Sequence, residues 1–164
     1  MRRGLVLGGG GVLGGAWTVG ALTAVQDRLG TDLRDVDQIV GTSAGSLIAA
    51  LLAAGVGVQD LRRHQLGEPI RRGPLAGFGW DYETATGGVR PPRPHAGLGS
   101  AGLLARNVSH LRRLPPTAVL SALLPEGRGS LASVGALVQH VVGDGWAPRD
   151  GLQVVTMDYE TGRR

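Results

Sequence analysis

The sequence predicts an α/β domain, a parallel sheet with helices on its faces in three layers. Three observations carry that expectation. Short apolar runs of strand length occur, each runs directly into a glycine-rich turn, and each turn opens into an apolar segment of helical spacing. The pattern occurs twice in succession near the start of the chain, and consecutive strand-turn-helix units pair in parallel because the crossover returns the chain to the same end of the sheet.

The first unit opens with "GLVL" at residues 4–7, which ends in Gly8 to Gly11; Val12, Leu13, Gly14 and Gly15 come next. From Trp17 to Leu29 the positions Leu22, Val25 and Leu29 recur at helical spacing, and Gly30 is placed to cap the helix. A glycine loop is therefore expected over residues 8–15, with the helix after it.

The second unit begins after the polar connection "TDLRDVD". "QIVG" is a second strand, and it leads into Gly41-Thr42-Ser43-Ala44-Gly45. Ser46 to Ala54 is apolar on nearly all sides, so this helix should be buried and should stop at Gly55 or Gly57.

Farther on, "VQDLRRHQL" reads as a short exposed helix. Residues 67–99 are dominated by glycine, proline and arginine, with Phe78, Trp80 and Tyr82 among them, and read as a long irregular segment or flexible lid. Two short helices are expected over 101–114 and 117–124, separated by Pro115-Pro116, and a third over 130–142 ending near Gly143. "LQVVTMDYETG" has the β-branched alternation of a third strand and then a turn. No internal repeat is evident.

Composition limits the function classes. The 164 residues fit one domain, with 42% apolar and 18% charged residues, while 29 glycines and 9 prolines imply much loop. Aromatics are only 4%, so the core must be aliphatic and rich in alanine. The net charge of +4 rests on arginine alone, scattered as singles and doublets. Nucleic-acid binding needs clustered charge with interleaved aromatics, and neither is present. Attraction to an anionic lipid surface stays open. Without cysteine there is neither a disulfide framework nor a thiolate metal site. "MRRGLVLGGGGVLGGAW" has basic residues before an uncharged stretch, yet glycine runs are poor helix formers and a signal segment wants a helix-prone core. No apolar run reaches the roughly 20 residues of a membrane span. The expected location is the cytoplasm, with peripheral contact at a membrane surface.

Gly41 to Gly45 is a G-x-S-x-G pentapeptide with a strand before it and a helix after it, the context in which that motif carries chemistry. A sharp strand-to-helix turn exposes Ser43 at the N-terminus of a buried helix, whose partial positive charge favours a developing anion. Against this stands the plain reading that Thr42, Ser43 and Ser46 cap the helix. The first glycine loop shifts the balance, because it should lie beside the pentapeptide at the same end of a parallel sheet. Its backbone N–H groups could hold a tetrahedral oxyanion, an effect of about 3–4 kcal/mol per well-placed donor.

The same loop, as Gly9-x-Gly11-x-x-Gly14, also fits the dinucleotide-binding fingerprint. That fold wants an acidic residue at the end of the second strand, where this chain has Gly41-Thr42-Ser43; Asp32, Asp35 and Asp37 all precede the strand. A Walker loop fails for want of lysine. Acyl transfer is the better reading of the pair.

Together the two motifs resemble the patatin-like phospholipase family, whose members begin with a strand, a G-G-G-x-R/K-G loop and G-x-S-x-G on a strand-helix elbow. The counterparts here are Gly9-Gly10-Gly11-Val12-Leu13-Gly14 and Gly41-Thr42-Ser43-Ala44-Gly45, with Leu13 where the family carries a basic residue. The resemblance covers residues 4–57 clearly, and the tail from Leu152 matches a later strand of the family in pattern. It implies a serine lipid acyl hydrolase with a Ser-Asp dyad, an acyl-serine intermediate and no cofactor or metal. Ser43 would be the nucleophile, Gly9, Gly10 and Gly11 the oxyanion donors, and Gly14, Gly41 and Gly45 motif glycines. The substrate would be a lipid or other acyl ester. The family's aspartate sits in D-G-G or D-G-A beyond the last strand reached here, so residues 1–164 are expected to be a partial domain, truncated at the C-terminus.

Two D-G pairs, Asp144-Gly145 and Asp150-Gly151, precede that strand and read as turns. His64, His95, His110 and His140 read as surface or packed histidines, and no H-E-x-x-H or similar cluster suggests a metal. The competing reading is a non-catalytic fragment or pseudoenzyme that binds lipid or a partner through the same cleft.

Overall fold

The computed structural model describes residues 2–79, 93–94, 97–106, 116–125, 130–147 and 149–158. The chain divides into two units, residues 1–86 with 131–155, and residues 87–130 with 156–164.

The first unit holds the sheet. β1 (Gly4–Leu7), β2 (Gln38–Gly41) and β3 (Leu152–Val154) pair in parallel in the order β1-β2-β3. Gly4 lies opposite Gln38 and Leu7 opposite Gly41, while Ile39 lies opposite Leu152. Because side chains alternate along a strand, this register puts Leu7 and Ile39 on one face, both buried. Val6 points to the other face and is 79% exposed, beside exposed Gln38 and Gln153. The α/β class and the parallel sheet are as the sequence predicts. The helix layer packed against these strands lies on the Leu7–Ile39 face.

That layer is built around α2 (Ala44–Ala53), which touches all three strands as well as α1 (Gly11–Leu29) and α6 (Ala132–Val142). Its run of alanine and leucine lets it sit inside the unit, with Ile48, Ala49, Leu51 and Leu52 buried. Gly55, at φ 91°, then turns the chain away, as the sequence suggests. α1 contributes Val19 and Leu22 to the core and ends at Gly30, whose left-handed φ of 59° and N–H bond to the Gln26 carbonyl close the helix.

α1 starts at Gly11, six residues before the expected Trp17. Gly11, Gly14 and Gly15 belong to its first turns, and the glycine loop shortens to Gly8–Gly10. The first turn is close-packed: a methyl group on Gly10 would stand 2.7 Å from the Gly14 Cα, while one on Gly15 would only touch the Ala44 Cβ at 3.8 Å, which places the starts of α1 and α2 side by side.

α3 (Val58–Gln65) is also less exposed than expected. Val58 and Leu61 are buried one turn apart, and only the arginine side faces water. Of the segment 67–99, Leu75 is 1% exposed in the core and Phe78 packs against it, so residues 67–79 are anchored rather than loose. Trp80 and Tyr82 lie outside the described residues.

The second unit contains α4 (Ala101–Arg106) and α5 (Pro116–Leu123). Ser100 starts α4: its Oγ accepts from the Leu103 N–H at 3.1 Å, and its own N–H donates to the Ala122 carbonyl at 3.1 Å, joining the two helices. Pro116 occupies the first position of α5, where a missing N–H costs nothing. The expected helix 101–114 is seen to residue 106; 107–115 lie outside the described residues.

Candidate functional site

β1 and β2 end level with each other, so the residues just past one strand meet those just past the other at the same end of the sheet. Gly8 to Gly10 come directly after β1, and Thr42 and Ser43 directly after β2. The Thr42 N–H donates to the Leu7 carbonyl at 3.1 Å, carrying the ladder one residue past the strand. Its Oγ1 donates to the Val155 carbonyl at 3.1 Å, and the Val155 N–H donates to the Gly41 carbonyl at 2.8 Å. Thr42 is thus held from both sides, and the chain must turn at the next residue.

Ser43 makes that turn with φ 52° and ψ −128°, and it is the one non-glycine residue with positive φ among the described residues. The Gly45 N–H donates to the Thr42 carbonyl at 3.0 Å, closing a four-residue turn. These angles are those of the first central position of a type II′ turn, which usually selects glycine. A side chain there stores strain of the order of 1–3 kcal/mol and persists only where its surroundings enforce it.

Gly41 and Gly45 are the enforcement. A methyl group at Gly45 would run into the Leu7 carbonyl oxygen and lie 2.6 Å from the Gly8 oxygen; one at Gly41 would lie 2.6 Å from the Gly45 oxygen. The first turn of α2 is therefore pressed against the end of β1, and only hydrogen fits between them.

The capping reading of Ser43 is not what its side chain does. Ser43 is the N-cap residue of α2, yet its hydroxyl makes no capping hydrogen bond. The Ser46 Oγ instead donates to the Ser43 carbonyl at 2.5 Å, and the Ser46 N–H donates to the same oxygen at 2.9 Å. Ser46 fastens the turn from below and leaves the Ser43 side chain exposed at the sheet end.

The glycine loop lies directly against it. A Cβ at Gly9 would stand 3.2 Å from the Ser43 Cβ and 3.7 Å from its Oγ. Gly10 is bare for a different reason, since its Cβ would lie 2.7 Å from the Gly14 Cα; Gly11 takes φ 60°. The first hydrogen bond of α1 is Gly14 N–H to the Gly10 carbonyl at 2.9 Å, so the N–H groups of Gly11, Val12 and Leu13 have no acceptor within the helix. Two helix N-termini thus converge near Ser43, and their partial positive charges favour an anion there.

The structure brings together Ser43, Gly9, Gly10, Gly11, Gly14, Gly41 and Gly45. It does not bring Asp150 to them. Asp150 lies beside Gly151, whose carbonyl accepts from the Ile39 N–H at 3.0 Å at the start of the sheet. Asp150 there lines an open cavity of about 320 Å³ with Arg2, Arg3, Asp37 and Gln38. At roughly 3.3 Å per strand residue, that end is more than about 10 Å from Ser43. The Asp144 Oδ1 accepts from the Gln139 Nε2 at 2.7 Å.

His64 and His140 bracket Phe78, with ring centroids 6.2 Å and 5.1 Å away. Burial pushes the His64 imidazole below its ordinary range. His95 and His110 lie outside the described residues. Among the described residues no cluster of three or more potential metal ligands occurs, and no helix is long and apolar enough to cross a membrane. Sequence reasoning misses the positioning roles of Thr42, Ser46 and Val155. Ser46 had a legible signal, being a hydroxyl three residues beyond a turn residue, whereas the tie to Val155 joins residues 113 apart.

A parallel sheet with a strained, uncapped serine on a strand-to-helix turn, packed against a glycine loop, is the strand-turn-helix setting in which the G-x-S-x-G motif occurs in α/β proteins. The comparison with known families then supplies the particular group. The patatin-like phospholipase model matches residues 5–124, and the chain belongs to that family. No curated protein matches the chain, and no solved structure does. The family is one of lipid acyl hydrolases, and its substrates are lipids.

Proposed function

We propose that this protein is a serine hydrolase of lipid acyl esters in which Ser43 is the nucleophile and the backbone N–H groups of Gly9, Gly10 and Gly11 hold the oxyanion. The observation that carries the reading is the strained, exposed Ser43 with the bare Gly9 backbone against it.

The Ser43 Oγ attacks the ester carbonyl carbon, the carbonyl π electrons move to its oxygen, and the hydroxyl proton passes to a base. The oxyanion is held by the loop, where preorganised donors act on charge that exists only in the transition state. Collapse expels the alcohol, which takes up the proton. Water then attacks the acyl-serine by the same route and releases the fatty acid. The base is the aspartate of the family's Ser-Asp dyad, contributed from outside residues 1–164; of the two D-G pairs, Asp150 stands at the far end of the sheet and the Asp144 carboxylate accepts from Gln139. Leu75 and Phe78 are held in the core, which does not support a lid role for residues 67–79.

Fluorophosphonate labelling tests the nucleophile. In a form of the protein that supplies the dyad aspartate, wild type should be labelled and Ser43→Ala should not; labelling that survives the substitution removes Ser43 from the role. A protein that binds lipid with no turnover above that of Ser43→Ala would instead be the non-catalytic binding module.

A further inference from the structure

An ordinary surface helix shows charge to water on its outer side. α1 does not. Leu13, Ala16, Trp17, Gly20 and Ala24 recur along its outer side and are all exposed, with Leu13 at 85% and Trp17 at 74%. From Gly11 to Gln26 the helix carries no charged residue, and Asp27 and Arg28 appear only in its last turn. With Val19 and Leu22 buried on the inner side, α1 is apolar on both sides while only one has a protein partner among the described residues.

The stripe is graded along its length. Its large side chains, Leu13 and Trp17, stand in the first two turns, where α1 leaves the glycine loop beside Ser43. Gly20 and Ala24 come after them, and then charge. Helical side chains lean toward the N-terminus, so Trp17 covers the surface over the turn that begins at Leu13. Val12, next to Leu13, is also exposed, and so is Val155, which follows β3 and is tied to Thr42 at the same end of the sheet.

We infer that the N-terminal end of α1, with Leu13 and Trp17 at its centre, is the surface that seats on a lipid bilayer and brings the Ser43 end of the sheet to the interface. This rests on the lipid hydrolase reading for its purpose and on the exposed face for its location. The gradient argues against a second copy as occupant, since a helix pair needs complementary apolar contact along the stripe, whereas a tip that dips into an interface needs it only at one end. Tryptophan prefers the depth at which headgroups meet acyl chains. The face is uncharged, so the attraction is to the apolar boundary, and binding should hardly depend on salt.

The test is sedimentation of the full chain with phosphatidylcholine vesicles at low and high salt, for wild type, Trp17→Glu, Trp17→Phe and Ser43→Ala. Wild type, Trp17→Phe and Ser43→Ala should partition alike at both salt concentrations, and Trp17→Glu should lose about tenfold or more in partitioning, since it removes a large buried aromatic contact. Circular dichroism should show all four equally folded. In a Trp80→Phe, Trp146→Phe background, brominated lipid should quench Trp17 fluorescence. The proposal is overturned by a wild type that does not partition, by Trp17→Glu partitioning like wild type, or by a wild-type dimer in ultracentrifugation that Trp17→Glu dissolves without any vesicle binding. Hydrolysis of a water-soluble ester by a form of the protein that supplies the dyad aspartate separates the two readings. Its absence with Trp17-dependent partitioning sinks the hydrolase and keeps the surface, and its presence in both wild type and Trp17→Glu with equal partitioning does the reverse.

Discussion

Gly9 and Ser43, thirty-four positions apart in sequence, touch so closely that a methyl group on Gly9 would stand 3.2 Å from the Ser43 Cβ. The nearest atoms to that methyl all belong to the Thr42–Ser43 elbow, so Gly9→Ala would push on the serine and little else. Ester turnover should fall by about tenfold to a hundredfold, as expected for a displaced oxyanion donor, with a stability loss under about 1 kcal/mol. Steady-state kinetics on a soluble ester and a urea melt check both halves; unchanged kcat/KM would take the loop out of the mechanism.

Gly45→Ala should behave in the opposite way. Its methyl group would overlap the Leu7 carbonyl, which is backbone and cannot rotate aside. β1 and α2 must separate to admit it, at a cost of about 3 kcal/mol or more. A urea midpoint within experimental error of wild type would show that the close approach has been overstated.

Ser43 carries backbone strain that glycine would not. Ser43→Gly and Ser43→Ala should both be inactive, but Ser43→Gly should be the more stable by about 1 kcal/mol, since alanine keeps the Cβ at φ 52°. Thermal denaturation of the two variants decides it, and a more stable alanine variant would mean the turn relaxes when the hydroxyl is removed.

His64 makes stability depend on pH. Burial depresses its folded-state pKa below 6.5, so between that value and 6.5 the unfolded chain binds more protons than the folded one. Stability should therefore fall as pH drops from above 6.5 and level off below the folded pKa. His64→Phe, beside the Phe78 ring, should flatten this slope. Urea melts across pH 5 to 8 measure it, and an identical slope in the variant would assign the effect elsewhere.

The strands, the left-handed stop at Gly30, the breaks at Gly55 and Gly143 and the G-x-S-x-G turn were legible because each depends on local chemistry: apolar runs, positive φ, and small residues around a sharp bend. The start of α1 was not. Glycine is a poor helix former, so Gly11 to Gly15 read as loop, and only the structure shows the close approach of Gly10 to Gly14 at the start of that helix. α3 looked exposed because three charged or titratable residues in its last turn hide two buried positions. Thus the sequence by itself determined the class of fold, the motif and the residue expected to carry chemistry. Tertiary structure alone decided that Gly9 lies against Ser43, that Thr42 is tied to Val155, that Asp150 stands at the wrong end of the sheet, and that Leu13 and Trp17 face outward beside the serine. These depend on strand order and register, which bring residues together across long stretches of chain and leave no signature in the residues themselves.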